Sequence, residues 1–344
     1  MAWWWIFPIL AAFLLSLIGT DGVRLLASHF GIVDVPDCER KHHEKVTPLL
    51  GGLAIFGSMA IPTIAVLLFS DHFTSGTITH WHFLGFLFGG LILVVGGFLD
   101  DRFHLPPYLT ILFPILAALS AVGLGIGVAK ITNPLGGYFL VSDWLSPMVT
   151  FLWLIIMMYT TKLLDGLDGL ASGVSAIGAF MVAALALTVA YFQPDVALLA
   201  LIACAAILGF LYWNFPPAKI FLGEGGSTFL GYLIGVLAVI AGSKVATALL
   251  VLGVPAMDMF FVIIERLRAK KPIFFGGDRR HLHHRLRDLG LSPRAVIFTY
   301  WSLALVFGLT TLIFESWQKL VALGFLGLLM ASILFVIIRK QKHL

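Results

Sequence analysis

Apolar residues in this chain come in long runs, and polar residues gather in short stretches between them. A helical membrane crossing needs about 20 largely apolar residues, and the runs reach that length. Eleven are predicted, at roughly 3–26, 48–70, 82–99, 106–128, 145–163, 167–192, 195–213, 225–242, 244–266, 293–314 and 319–339. The pattern predicts an all-α polytopic membrane bundle of about 11 transmembrane helices, read as one domain over 1–344. The first run is too long for a removed signal peptide, and it lacks a basic start and a small-residue cleavage site.

Composition agrees with the pattern. The chain is 60% hydrophobic and 12% charged, whereas a soluble domain is about half apolar and a quarter charged. Cys38 and Cys204 are the only cysteines, and Cys204 falls inside a predicted span. No disulfide framework or thiolate metal site is suggested. No nucleic-acid motif, low-complexity tract or internal repeat stands out, so no nucleic-acid partner is expected.

Charge sets an orientation. With eleven spans the termini lie on opposite sides, and all of the 22 Lys and Arg residues except Lys130, Lys244 and Lys319 then share one side. Basic loops stay in the cytoplasm, which places the N-terminus outside and the C-terminus inside. The net charge of +4 is therefore mainly a topology signal, and it suits a face that meets anionic lipid heads and nucleotide phosphates.

The densest chemistry lies between two apolar runs, in Tyr159-Thr160-Thr161-Lys162-Leu163-Leu164-Asp165-Gly166-Leu167-Asp168-Gly169. Ionisable groups beside a span are costly and usually mark a site. If this stretch is helical, Asp165 and Asp168 share a face. The predicted span 82–99 leads into Asp100-Asp101-Arg102, an acid pair that can serve as a base or hold a cation. Gly223-Glu224-Gly225-Gly226-Ser227 is a Gly-rich turn before another run, suited either to an anion or, through Glu224, to a divalent ion. The first polar loop carries Arg40, Lys41, His43 and Lys45 and reads equally as a topogenic loop. Asp258, inside a run and near Pro255, has two open readings, structural hydrogen bonding or substrate contact. His281, His283, His284 and Arg285 lie in the longest hydrophilic segment, 265–294. No cysteine accompanies these histidines, and the neighbouring arginines favour phosphate over a metal cation. All these stretches fall on one predicted side. A transporter would carry its charges near the midplane instead. The pattern points to phosphoryl chemistry at a membrane surface, with a lipid co-substrate.

The motifs carry a resemblance. Arg40, Lys41 and His43 with Pro48, Gly51 and Gly52, the Gly96-Asp100-Asp101 set, Asp165-Gly166-Leu167-Asp168-Gly169-Leu170, Asn214 with Pro217-Ala218 and Phe221-Leu222-Gly223, and His281-Leu282-His283-His284-Arg285 resemble motifs of the polyprenyl-phosphate N-acetylhexosamine-1-phosphate transferases. Within them the chain is similar to the WecA/TagO-like group, and less so to the MraY translocases that use UDP-MurNAc-pentapeptide. The resemblance implies transfer of HexNAc-1-phosphate, most simply GlcNAc-1-phosphate, from a UDP-HexNAc to undecaprenyl phosphate, with UMP released. It implies an enzyme of the bacterial inner membrane that depends on Mg2+, with Mn2+ as a substitute. A transporter on the same scaffold is the rival class, and a homodimer is compatible with the pattern.

Roles follow from the same resemblance. Asp100 or Asp101 would take the lipid phosphate's proton or position that phosphate. Asp165 and Asp168 would shape the metal and nucleotide site. His281, His283, His284 and Arg285 would hold the diphosphate and sugar, with Arg40, Lys41, His43 and Asn214 as further substrate contacts. Two positions depart from the family pattern. Lys162 stands where the family has Asn, and Glu224 where it has a magnesium-binding Asp. The expectation is that Glu224, with Asp165, remains a metal ligand while Lys162 neutralises phosphate. A stricter alternative has Lys162 replace the metal and pair with Glu224.

Overall fold

The computed structural model describes residues 3–36, 46–74, 78–133, 137–189, 191–242, 245–270 and 281–341. Arg40, Lys41 and His43 lie outside the described residues. After a 3₁₀ turn at Trp3–Trp5 come α1 (Ile6–His29), β1 (Val33–Asp34), β2 (Thr47–Pro48), α2 (Gly51–Phe69) and α3 (His80–Phe103). Next are α4 (Pro107–Thr110), α5 (Leu112–Gly123), β3 (Lys130–Thr132), β4 (Tyr138–Leu140), α6 (Leu145–Leu164) and α7 (Leu170–Ala186). The chain continues through α8 (Pro194–Asn214), α9 (Gly223–Ile240), α10 (Val245–Val251) and α11 (Gly253–Arg268). It ends with α12 (Leu282–Asp288), α13 (Pro293–Ile313) and α14 (Ser316–Gln341). The two antiparallel strand pairs, β1 with β2 and β3 with β4, are short ties in loops.

This is a polytopic helical membrane protein. Lipid offers no partners for backbone groups, so apolar runs close their hydrogen bonds internally as helices. Among the described residues, seven helices are long and apolar enough to cross a membrane, and the count reaches eight if the bent pair α10–α11 is a single broken span. Three further apolar helices, Pro107–Gly123, Leu170–Ala186 and Trp317–Ile333, are shorter. Every predicted run thus meets a helix or helix pair, while the full count of eleven crossings exceeds what helix length alone supports.

Two of these runs are interrupted. The run at 244–266 is two helices meeting at 80°. Gly253 and Pro255 sit at that junction, and proline cannot supply the backbone N–H that would continue a helix through it. The Asp165–Asp168 stretch is a turn rather than helix, with Asp165 ending α6 and Gly169 at φ 72° opening α7. A positive φ is cheap only for glycine.

The most enclosed of the seven long helices is α9. It packs against α2, α3, α6 and α7. Trp153 Nε1 donates to Gly235 O at 3.0 Å and Thr161 Oγ1 to Ser227 O at 2.8 Å, which ties α6 to α9. Tyr232 OH donates to Gly85 O at 3.0 Å, which ties α9 to α3. These bonds place the polar ends of α3, α6 and α9 side by side.

Candidate active site

Small residues let three helix ends close on one another. A Cβ added at Gly97 of α3 would lie 2.1 Å from Gly225 N, and one at Gly52 of α2 would lie 2.4 Å from Gly226 Cα. Backbone therefore meets backbone at both crossings. The first polar loop joins the same junction, since Gly51 N and Gly52 N donate to Phe221 O and Leu222 O at 2.9 Å each and Phe221 N donates to Pro48 O at 2.8 Å.

One turn beyond Gly97, Asp101 reaches the start of α9. Its Oδ1 accepts from Glu224 N at 3.2 Å. A Cβ at Gly223 would stand 2.3 Å from Asp101 Oδ2, and Gly223 also has φ 73°. The glycine before Glu224 is thus what admits the carboxylate. A negative group here suits the positive end of a helix. Beside Asp101 lies a small apolar hollow lined by Leu53, Val94, Phe98 and Leu222.

Lys162, in the last turn of α6, forms an ion pair from Nζ to Glu224 Oε1. Both side chains keep part of their surface open, 31% and 24% respectively. The Lys162 ammonium also lies 5.5 Å from the centre of the Tyr159 ring.

In the turn between α6 and α7, protein atoms crowd the Asp165 carboxyl. This crowding, with the negative charges of Asp168, Glu224 and Asp101, pushes its pKa well above the usual carboxylate range. Asp168 Oδ2 accepts from Ala218 N at 2.9 Å. Asn214 Oδ1 accepts from Gly169 N at 3.0 Å and Ser172 Oγ at 2.8 Å, while its Nδ2 donates to Ile220 O at 3.0 Å. Both side chains, expected to meet substrate, hold the 165–169 turn to the 215–222 connection.

The histidine segment is held from below by α11. His281 Nδ1 lies 3.0 Å from Asp258 Oδ2, and Leu282 N donates to Asp258 Oδ1 at 2.8 Å. Of the two readings of Asp258, the structure supports hydrogen bonding, because this acid anchors the start of α12. Arg285 Nη2 reaches both oxygens of Glu265, at 2.9 and 2.7 Å. Its guanidinium, expected on a diphosphate, is engaged with α11 in this structure. The sequence gives little sign of Glu265, an acid beside Arg266 and Arg268.

His283 is 1% exposed, and neither ring nitrogen has a hydrogen-bond partner among the described residues. Its ring stacks on His281 with centroids 5.8 Å apart. A Cβ at Gly166 would lie 2.3 Å from His283 Nε2, so the second residue of the Asp165 turn must be glycine for this imidazole to sit there. Burial, with His284 and His281 alongside, pushes the His283 pKa well below its usual value, which keeps the ring neutral.

The expected metal ligands do not present a matching donor set. Glu224 is held by the Lys162 ammonium. Among the described residues, no group of three or more His, Cys, Asp or Glu is placed to hold a metal ion.

Acids, a lysine and a histidine helix thus converge at one end of a membrane-embedded bundle, the arrangement of an integral membrane enzyme acting on phosphorylated substrates. Comparison with known proteins makes the class specific. Residues 83–242 match the model of glycosyl transferase family 4. The chain is 34% identical to the probable undecaprenyl-phosphate N-acetylglucosaminyl 1-phosphate transferase of Bacillus subtilis (strain 168), over 90% of this chain and 85% of that one. It is 32% identical to the decaprenyl-phosphate N-acetylglucosaminephosphotransferase of Mycolicibacterium smegmatis, over 92% and 84%. It is 29% identical to the undecaprenyl-phosphate alpha-N-acetylglucosaminyl 1-phosphate transferase of Thermotoga maritima, over 84% and 85%. The chain belongs to this family of polyprenyl-phosphate N-acetylhexosamine-1-phosphate transferases.

Proposed function

We propose that the chain transfers N-acetylglucosamine-1-phosphate from UDP-N-acetylglucosamine to undecaprenyl phosphate at the cytoplasmic face of a bacterial inner membrane. The product is a lipid-linked diphosphate sugar that starts a cell-envelope glycan. Support comes from the relatives' printed activities. The observation that carries the reading is the meeting of Asp101 with the start of α9, where Glu224 also receives Lys162, beside an apolar hollow. An acid for a phosphate and a cation for a diphosphate then lie together.

The chemistry balances as a single displacement. A phosphate oxygen of the lipid attacks the sugar-linked phosphorus of the nucleotide sugar. The bond from that phosphorus to the bridging oxygen breaks, and UMP leaves with that oxygen. Asp101 or Asp100 takes the lipid phosphate's proton, or positions that phosphate when it arrives ionised. His284, the partly exposed histidine of this helix, contacts the diphosphate and sugar, His283 packs behind it against Gly166, and Arg285 orders the helix through Glu265. Phosphoryl transfer also needs positive charge on the departing diphosphate. The clustering of Lys and Arg supports the cytoplasmic assignment of this end.

The test incubates the purified full chain with UDP-GlcNAc and undecaprenyl phosphate, in magnesium and in chelator, and follows UMP and the lipid product. UMP that requires both substrates supports the reading. UDP-GlcNAc binding without UMP in either buffer would favour a non-catalytic scaffold. UMP from UDP-MurNAc-pentapeptide alone would move the chain to the related translocases.

A further inference from the structure

Something at this site must meet the negative charge of a diphosphate, and the pairing of Lys162 with Glu224 bears on what that is. Lys162 is fixed from its backbone outward. It occupies the last turn of α6, and its neighbour Thr161 donates to Ser227 O at 2.8 Å, locking that turn onto the first turn of α9. Glu224 is fixed as well, since its backbone N–H donates to Asp101 at 3.2 Å. The two side chains therefore meet across a rigid junction.

A divalent ion on Glu224 would have to share it with this ammonium. Two cations on one carboxylate repel, and the repulsion is stronger at a half-buried site than in water. The remaining donors do not make up for that loss. Asp101 Oδ1 is taken by the Glu224 amide and Asp168 Oδ2 by the Ala218 amide, and among the described residues no three His, Cys, Asp or Glu side chains are placed together to hold a metal ion. An ammonium has three N–H donors, and Glu224 Oε1 takes one of them. With 31% of the Lys162 side chain open, a ligand can approach the others.

We propose that Lys162 is the resident cation of this site: its ammonium, held by Glu224, neutralises the diphosphate of a bound UDP-sugar, so that nucleotide-sugar binding requires no divalent metal. The proposal rests on the functional reading above, because it takes the ligand to be a nucleoside diphosphate sugar. It assigns the two residues separate roles. Lys162 contacts the ligand, and Glu224 positions Lys162.

The experiment measures UDP-GlcNAc binding to the full-length protein in detergent, by calorimetry, with EDTA and with magnesium. The native chain should bind with dissociation constants that agree within about twofold in the two buffers. Lys162→Met keeps the length of the side chain and removes its charge, and a charge-assisted hydrogen bond to phosphate is worth about tenfold or more in affinity. Its binding in EDTA should weaken by that factor, and magnesium should recover part of the loss because Glu224 is then open to a metal. Lys162→Arg should keep metal-independent binding. That variant, with the native chain in chelator, keeps the test valid if Lys162→Met fails to fold. Native binding that disappears in EDTA and returns with magnesium would overturn the proposal and leave the transferase reading standing. Unweakened binding by a folded Lys162→Met protein in EDTA would also overturn it. Binding in neither buffer would overturn the proposal together with the functional reading.

Discussion

Gly97→Ala is the most informative single change to the scaffold. The new methyl would stand 2.1 Å from Gly225 N and 2.2 Å from Gly225 Cα, both backbone atoms of α9. Ordinary contact begins near 3.4 Å, so α3 and α9 must separate by on the order of 1 Å, because neither atom can rotate away. Overpacking of this kind costs about 1–3 kcal/mol of stability. The larger effect falls on the site. Asp101 lies one turn further along α3, and its bond to Glu224 N is already 3.2 Å long, so the same displacement breaks it. Misplacing a reacting group by about 1 Å can cost about 10²-fold in rate. The expected result is a protein that still folds but releases UMP about a hundredfold more slowly. The assay pairs UMP release with a thermal unfolding midpoint. Gly57→Ala in α2 is the control, because a Cβ there meets nothing within 4 Å and should leave both readouts unchanged. Native turnover in Gly97→Ala would refute the argument that close approach of α3 and α9 sets the site.

Other predictions follow from the same geometry. Asp101→Asn should lower turnover by about 10²–10⁴-fold while UDP-GlcNAc affinity stays within a few-fold, as kinetics and calorimetry would show. Arg285→Ala removes one partner of a largely buried ion pair and should cost about 3 kcal/mol of stability. It should also weaken UDP-GlcNAc binding, and Glu265→Gln should reproduce much of that weakening if the pair serves to order α12. For His283 the folded pKa is lowered below the ordinary value of about 6.5. Its neutral form therefore contributes stability that is fully present above about pH 6.5 and is lost as the pH falls from there toward the folded pKa. His283→Gln should flatten the acid side of a plot of unfolding midpoint against pH, and an unchanged slope would place the sensitivity elsewhere.

The helices were legible because the bilayer makes long apolar runs adopt one form, so length and hydropathy suffice to locate them. Their interruptions were less so. The run at 244–266 reads as one span that Pro255 can break, but nothing in it gives the 80° of the bend. The stretch from Asp165 to Gly169 was ambiguous between helix and turn, and the left-handed conformation of Gly169 decided it. The chemistry of the site was visible as residue types, but the division of labour among them was not. Asp168 with the Ala218 amide, Asn214 with Gly169 and Arg285 with Glu265 join positions 20 to 50 residues apart, which no local period encodes. Each gives a side chain expected at the substrate site a scaffold contact that the sequence does not display. Lys162 and Glu224 could be paired from the sequence because both depart from one family pattern, and two unusual charges of opposite sign invite each other.

If the proposed function holds, this membrane-embedded cluster transfers a sugar phosphate to a lipid phosphate. The measurement that tests this most directly is UMP release by the purified chain with UDP-GlcNAc, with and without undecaprenyl phosphate, alongside recovery of the lipid product. UMP and lipid-diphosphate-GlcNAc should form in equal amounts, both absent without the lipid. UMP formed equally well without undecaprenyl phosphate, or none formed by a chain that binds both substrates, would contradict the proposed function.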